Sequence, residues 1–469
     1  MDTKKRIEEY FAAHKEEMLR DIGTLIAIPS VQGDEQEGMP FGKEPAEALH
    51  AAMKMAEDMG FPVKNYENYA AAVDLCDLPR QLDILAHLDV VPAGNGWSVT
   101  EPFLPLIREG RIYGRGSSDD KGPAIAALYA MKAVKDLCIP LKRSARLVLG
   151  TNEETGSRDL THYYEQEPEA PMSFSPDAEF PVINIEKGRY SIWLTANYPQ
   201  ETALPHILSA RGGVVSNVVP DAAEAILEGF SEEILAEQLS AAAERTGLRF
   251  EAKRLEDGKT VVSVHGACAH ASTPEEGNNA VTGLLDLLTS LPVAPSAGFE
   301  KLLALHRLFP HGDCRGEAAG VAMSDECSGE LTLSVDIFRF EEGELHCFFD
   351  SRTPVCATNE NLRDVFCVKA KSLGLMPEDK EVAPAHHVPE DSPFIQVLLR
   401  CYEQYSGLPG KCMAIGGGTY AHRLKNGVGF GCILPGTDTH MHGPDEFAEI
   451  DELLLSAKIF AQVIIDLCS

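Results

Sequence analysis

Apolar residues fall near helical spacing through Ile7, Phe11, Met18, Ile22 and Leu25, which predicts an amphipathic helix stopped by Pro29. A second helix is expected from about Pro45 to Met59, with Pro45 in its first turn and Gly60 at its end. The pattern then changes to an apolar strand, Leu82 to Val91, and a glycine-rich turn at Gly114 and Gly116. A helix from Lys121 to Asp136 follows. The next strand, Ala145 to Thr151, runs into Asn152-Glu153-Glu154. Strands alternating with helices imply an α/β layer structure with a mostly parallel sheet.

After Ile185-Glu186-Lys187-Gly188 the periodicity shifts. Thr260 to His265 and Leu331 to Phe340 alternate apolar and polar residues, as strands with one wet face do. Helical stretches lie between them near Glu232 to Glu244 and Asn279 to Leu291. From about Pro384 the first texture returns, with a helix at Phe394 to Tyr405, a strand at Gly429 to Leu434 and a last helix from about Glu449. The simplest architecture is one α/β domain built from residues 1–187 and 384–469, interrupted by an inserted α+β domain, 188–383.

Composition narrows the function classes. A net charge of −31 argues against a nucleic-acid surface and against an anionic membrane face. Met1 to Arg20 is charged throughout and lacks a secretory apolar core, and no stretch reaches membrane-spanning length. The 12 cysteines are scattered singly with no Cys-x-x-Cys pair. Cys138, Cys347 and Cys432 lie in apolar runs, as buried free thiols do, so a reducing, cytoplasmic setting is expected.

Four segments carry candidate chemistry. In His87-Leu88-Asp89, at a strand end, residues two apart share a face, so His87 could bind a metal while Asp89 fixes its ring. Gly114-Arg115-Gly116-Ser117-Ser118-Asp119-Asp120-Lys121-Gly122 lacks the ending of a phosphate loop, and its paired acids would repel phosphate. A carboxylate there could bridge two cations, although Asp119 or Asp120 could equally cap the helix that follows. In Asn152-Glu153-Glu154-Thr155-Gly156 adjacent side chains diverge, so one glutamate could ligate and the other act as a base. Asp177 and the run His440-Met441-His442-Gly443-Pro444-Asp445-Glu446 add further ligand types. Each segment alone is explained as well by an ordinary strand end or acidic loop. Together, two histidines and at least three carboxylates match the mixed nitrogen-and-oxygen set of a two-metal hydrolytic site. No Gly-x-Ser-x-Gly elbow competes with that reading.

These segments resemble the co-catalytic zinc aminoacylase/carboxypeptidase superfamily, specifically its peptidase V-type, carnosinase-like dipeptidase branch. The motifs His-Leu-Asp-Val-Val-Pro, Gly-Arg-Gly-Ser-Ser-Asp-Asp-Lys-Gly, Asn-Glu-Glu-Thr-Gly and Ser-Pro-Asp carry the likeness, which spans nearly the whole chain. It implies a zinc-peptidase catalytic domain interrupted by a lid domain, and two zinc ions, with manganese or cobalt as substitutes. By the resemblance, His87, Asp119 and Asp177 hold one ion and Asp119, Glu154 and His442 the other, with Asp119 bridging. Asp89 orients His87, and Glu153 is the general base. Asp177 in place of glutamate accords with aminopeptidases and dipeptidases rather than aminoacylases and carboxypeptidases.

The inserted segment also carries likenesses. His270, in Gly-Ala-Cys-Ala-His-Ala-Ser, corresponds to a lid histidine at the scissile carbonyl, and Asn217 to a lid asparagine near the same group. Arg352, in Asp-Ser-Arg, is expected on the substrate carboxylate. Gly417, Gly418 and Thr419 belong to a loop expected to close around the substrate C-terminus. Where the family usually has arginine, this chain has His422 followed by Arg423, which leaves the detail of those contacts open. The insert is longer than the small dimerisation domain of many relatives, so His270 is expected in cis, in a monomer. The expected reaction is hydrolysis of dipeptides with a free N-terminus. A deacylase acting on N-acyl amino acids and an inactive, metal-stabilised binding protein are the rivals.

Overall fold

The computed structural model describes residues 2–200, 202–341 and 343–469. The chain divides into two compact units: one runs to Ile185 and takes in His387–Met413 and Gly418–Ser469, and the other comprises Glu186–His386 and Ala414–Gly417.

In the first unit, strands line up in the order Val63–Tyr66, Ala70–Asp74, Ser144–Gly150, Arg80–His87, Met172–Ser175, Gly427–Gly429 and Val182–Glu186. The sheet is mixed: Ser144–Gly150, Arg80–His87, Met172–Ser175 and Gly427–Gly429 run parallel, while the pairs flanking them are antiparallel. Both faces are covered, which explains the nearly unbroken apolar runs. Leu82, Ile84 and Ala86 pack in one cluster with the helices Thr3–Ile26, Lys121–Asp136 and Ile450–Cys468. Leu85 turns the other way, into a cluster with Val148, Leu160, Tyr163 and Tyr420.

The second unit is built on an antiparallel sheet ordered Arg249–Arg254, Thr260–His265, Ala222–Glu228, His206–Gly212, Thr332–Glu341, Glu344–Thr353, Ile192–Asn197 and Met376–Pro377. Strict alternation of buried and half-buried residues along Thr260–His265 matches the sequence pattern. The helices Glu232–Thr246, Ala280–Ser290 and Ala297–Leu308 share its apolar core. The fold is α/β, as expected, but the first unit's sheet is mixed rather than mostly parallel: only its four central strands run parallel. Among the described residues, no helix is long and apolar enough to cross a membrane.

Three local expectations need correction. The strand expected over Leu82 to Val91 ends at His87, after which the backbone turns into a loop. The run from Gly429 to Leu434 is buried through Ile433, but its strand is Gly427–Gly429. Gly431 lies so close to the Ala178 carbonyl that a Cβ could not fit, and the chain leaves the sheet there. Cys138 is exposed: it follows the helix Lys121–Asp136 with φ +50°, a left-handed turn that swings its side chain outward, whereas Cys347 and Cys432 are buried. All 12 cysteines are free thiols.

Candidate metal centre

Three adjacent parallel strands deliver their carboxyl ends to one edge of the first unit's sheet, the place where ligands collect in open α/β sheets. In register, His87 faces Gly150, so the segment entering Glu153 and Glu154 starts beside it. Asp177 follows the neighbouring strand Met172–Ser175 by two residues. Asp119 precedes the helix Lys121–Asp136, and His442 lies in the loop before the last helix.

The side chains converge. His87 Nε2 lies 2.9 Å from Asp119 Oδ1 and 3.6 Å from Asp177 Oδ2. His442 Nε2 lies 2.8 Å from Asp119 Oδ2 and 3.4 Å from Glu154 Oε2. Two ligand groups result, His87 with Asp119 and Asp177, and Asp119 with Glu154 and His442, the donor atoms of each lying within 4.8 Å of one another. Asp119 belongs to both. His440 belongs to neither group.

The residues fit divalent cations on physical grounds. His87 Nε2, Asp119 Oδ1 and Glu154 Oε1 are buried without a hydrogen-bond partner, although His87 Nε2 and Asp119 Oδ1 are close. Buried polar atoms left without a hydrogen-bond partner are a costly arrangement unless a cation joins them. The local field is strongly negative: Asp119, then Glu154, push the His442 imidazole up to about 10. Burial, with Asp119 beside it, raises Asp177 to about 6. Two imidazoles and three carboxylates form a donor set suited to zinc-like ions.

Glu153 stands outside both groups. Burial, with Asp177, Asp119 and Glu154 nearby, pushes its carboxyl well above the usual range, which suits a group that must accept a proton. Asp89 does more than orient His87. His87 Nδ1 is 3.0 Å from the Asp89 carbonyl oxygen and 3.4 Å from its carboxylate. That carboxylate accepts the backbone N–H groups of Glu153 (3.1 Å) and Glu154 (3.2 Å), so it positions the glutamate turn as well. The strand ends at His87, so it is the loop rather than strand pleating that brings Asp89 beside the ring.

Neither aspartate is a helix cap. Asp120 occupies the N-cap position without a side-chain cap bond, and its Oδ2 accepts the His87 backbone N–H at 3.0 Å. Asp119 faces the two histidines and Asp120 the His87 backbone, so neither side chain serves the helix.

Two supports were not legible in the sequence. Buried Arg115 donates from Nη1 to Glu446, while its Nη2 donates to the carbonyls of His442 (3.2 Å) and Gly443 (3.1 Å). Glu446 Oε1 also accepts from Gly116 N (3.0 Å) and Ser118 N (3.1 Å). One ion pair therefore ties the Asp119 loop to the His442 loop. Its members are 331 positions apart, and no spacing rule reaches that far. Asp159 is the second: it accepts from Thr151 N (2.6 Å), Asn152 N (2.7 Å) and the Tyr420 hydroxyl, bracing the turn before Glu153. Its only sequence signal was an acid in the first turn of the helix Arg158–Gln166. Glu446→Gln should destabilise the protein by about 3–5 kcal/mol, because it leaves Arg115 buried without its countercharge. Denaturant unfolding of the variant checks this, and an unchanged midpoint would dismiss the bracing role.

The remaining predicted residues lie in the second unit, apart from Gly418 and Thr419, which belong to the first. Asn217 and His270 are neighbours: Ala271 N donates to the Asn217 carbonyl at 2.9 Å, and Val218 bridges His270. Ser272 N donates to His270 Nδ1 at 3.2 Å, which makes Nδ1 the acceptor and leaves the proton on Nε2. Arg352 is buried, with Nε on Asp350 Oδ2 at 2.7 Å and Nη1 on the Gly416 carbonyl. Gly417 belongs to the same unit.

Residues 84–466 match the model of peptidase family M20/M25/M40. A Bacillus subtilis (strain 168) protein carrying the name dipeptidase YtjP is 37% identical over 458 residues, 97% of each chain. The Beta-Ala-Xaa dipeptidase of Lactobacillus delbrueckii subsp. lactis is 34% identical over 470 residues, 98% of each. Among solved structures, human carnosine dipeptidase 1 shares the fold at a TM-score of 0.58 and 14% identity, covering 100% of this chain and 99% of its own.

Proposed function

The chain belongs to peptidase family M20/M25/M40, and on that premise we propose that this metal-dependent dipeptidase cleaves dipeptides with a free N-terminus, with Glu153 as proton carrier. The observation that supports the reading best is the pair of overlapping ligand groups sharing Asp119, with an uncommitted glutamate beside them.

His87, Asp119 and Asp177 would hold one zinc ion, and Asp119, Glu154 and His442 the second. Such ions, when bound, polarise the peptide carbonyl and make water more acidic. Glu153 takes the proton from the attacking water and returns it to the leaving amine, so one carboxylate serves both halves of the reaction. Asp89 holds the backbone of Glu153 and keeps that carboxylate in reach. His270, donating from Nε2, stabilises the oxyanion of the tetrahedral intermediate, with Asn217 beside it. Arg352, braced by Asp350, takes the substrate carboxylate, and Gly417, Gly418 and Thr419 close around it.

The test is a panel of dipeptides and their N-acetylated forms, each with and without chelator. Free dipeptides should be hydrolysed and the acetylated forms spared. Chelator should abolish turnover, and zinc, manganese or cobalt should restore it. Faster cleavage of the acetylated forms would favour a deacylase instead.

A further inference from the structure

A cavity of about 410 Å³ in the second unit is lined by Lys187, Ser272, Thr273, Arg315, Gly416 and Gly417, among others. Two of these residues adjoin groups already placed in the reaction. Ser272 Oγ lies 2.6 Å from His270 Nδ1, and the Gly416 carbonyl accepts from Arg352 Nη1. Gly416 is wedged between them, since a Cβ there would press on Ser272 Cβ and reach Arg352 Cγ. Arg352 Nη2 is buried without a hydrogen-bond partner, so the guanidinium still has a donor to offer.

The chemistry of a dipeptide says what belongs there. Its C-terminal residue joins the scissile carbonyl through nitrogen and carries the terminal carboxylate, and its side chain leaves the carbon between those groups. With His270 at the carbonyl and Arg352 at the carboxylate, that side chain enters the space bordered by Ser272 and Gly416.

The walls carry charges of both signs, from Lys187, Arg315, Glu275 and Glu330. Glu275 and Glu330 both pair with Arg315, at 3.3 and 3.0 Å. Lys187 is different. Its ammonium donates to the Glu330 carbonyl oxygen at 2.6 Å, and among the described residues no carboxylate lies within ion-pair distance of it. Burial, with Arg315 nearby, holds this lysine below its usual range. Glu275, Asp325 and Glu330 act on it only from beyond contact, so a half-buried ammonium with no carboxylate in direct contact has room for an anion at hydrogen-bond distance.

We propose that this cavity is the side-chain subsite for the substrate's C-terminal residue, and that Lys187 selects an acidic side chain there. The preferred substrates are therefore dipeptides ending in glutamate or aspartate. The proposal rests on the reading that Arg352 takes the terminal carboxylate.

Steady-state kinetics of the metal-loaded enzyme on Ala-Glu, Ala-Gln and Ala-Ala provide the test. The wild type should show kcat/KM for Ala-Glu about tenfold above Ala-Gln, a difference of about 1.4 kcal/mol. The ratio should shrink with added salt, as an ionic contact does. Lys187→Met should bring it close to one, and Lys187→Arg should keep it above one. A wild-type ratio at or below one overturns the proposal, with no variant needed. So does a ratio that survives Lys187→Met. Arg352→Met tests the underlying reading separately: it should lower kcat/KM for all three peptides alike. Unchanged rates in that variant would remove the carboxylate assignment, whatever the Lys187 ratio shows.

Discussion

Glu153→Ala should lower kcat by about 10²–10⁴-fold, the range for losing a positioned general base, while two metal ions per chain stay bound. The separation of effects follows from geometry. Glu153 is in neither ligand group, so truncating it removes no donor atom. Its backbone N–H is held by Asp89 and its neighbour's by the other oxygen of the same carboxylate, so the turn presenting Glu154 stays in place. Nor is a base easily replaced here. Asp119, Asp177 and Glu154 belong to the candidate ligand groups, Asp89 holds the backbone N–H groups of Glu153 and Glu154, and Asp120 accepts the His87 backbone N–H. Metal analysis alongside turnover checks both halves. A variant with wild-type kcat would remove Glu153 from the mechanism, and one that lost its metals would make it a ligand.

Asp119→Ala should have the larger structural effect, because Asp119 is the one residue common to both ligand groups. Its two oxygens reach in opposite directions, Oδ1 to 2.9 Å from His87 Nε2 and Oδ2 to 2.8 Å from His442 Nε2. Loss of a single ligand usually weakens one site, and even a residue behind a ligand costs about 10–100-fold in affinity or activity. Removing the shared residue should therefore take stoichiometry from two ions per chain to below one, and turnover should fall by more than about 10³-fold. A second readout does not depend on activity. Ions that bind only the folded state raise its stability, so added zinc should raise the Tm of the wild type. The Asp119 variant should show little such rise, and Asp177→Ala an intermediate one. Equal stabilisation of all three would refute the shared role.

How far the sequence reaches can be judged residue by residue. The helix Lys121–Asp136 has the bounds that its periodicity predicts, and the alternation over Thr260–His265 identifies a strand wet on one face. These are local patterns in which each residue reports its own burial. The run Gly429 to Leu434 reads as a strand in the sequence but only Gly429 belongs to one, because burial alone does not distinguish strand from packed loop. The candidate ligands were legible as motifs, but the choice of Asp119 over Asp120 and of His442 over His440 came from resemblance. In the structure Asp120 accepts the His87 backbone N–H, and Asp119 belongs to both candidate ligand groups.

By itself, then, the sequence determined the types and order of the candidate ligands, the α/β alternation around them and the change of texture after Gly188. These depend on periodicity and on residue chemistry, both of which can be read locally. Only the tertiary structure decided how the ligands are held. The parallel register that faces His87 with Gly150, the Arg115–Glu446 pair joining loops 331 positions apart, and the Asp159 brace under Glu153 are long-range contacts. The His87-Leu88-Asp89 segment shows the division most clearly. Its residue types announced a ligand and a partner, but the end of the strand at His87 turned the Asp89 carboxylate toward the Glu153 and Glu154 amides, because side-chain direction depends on where the pleat stops.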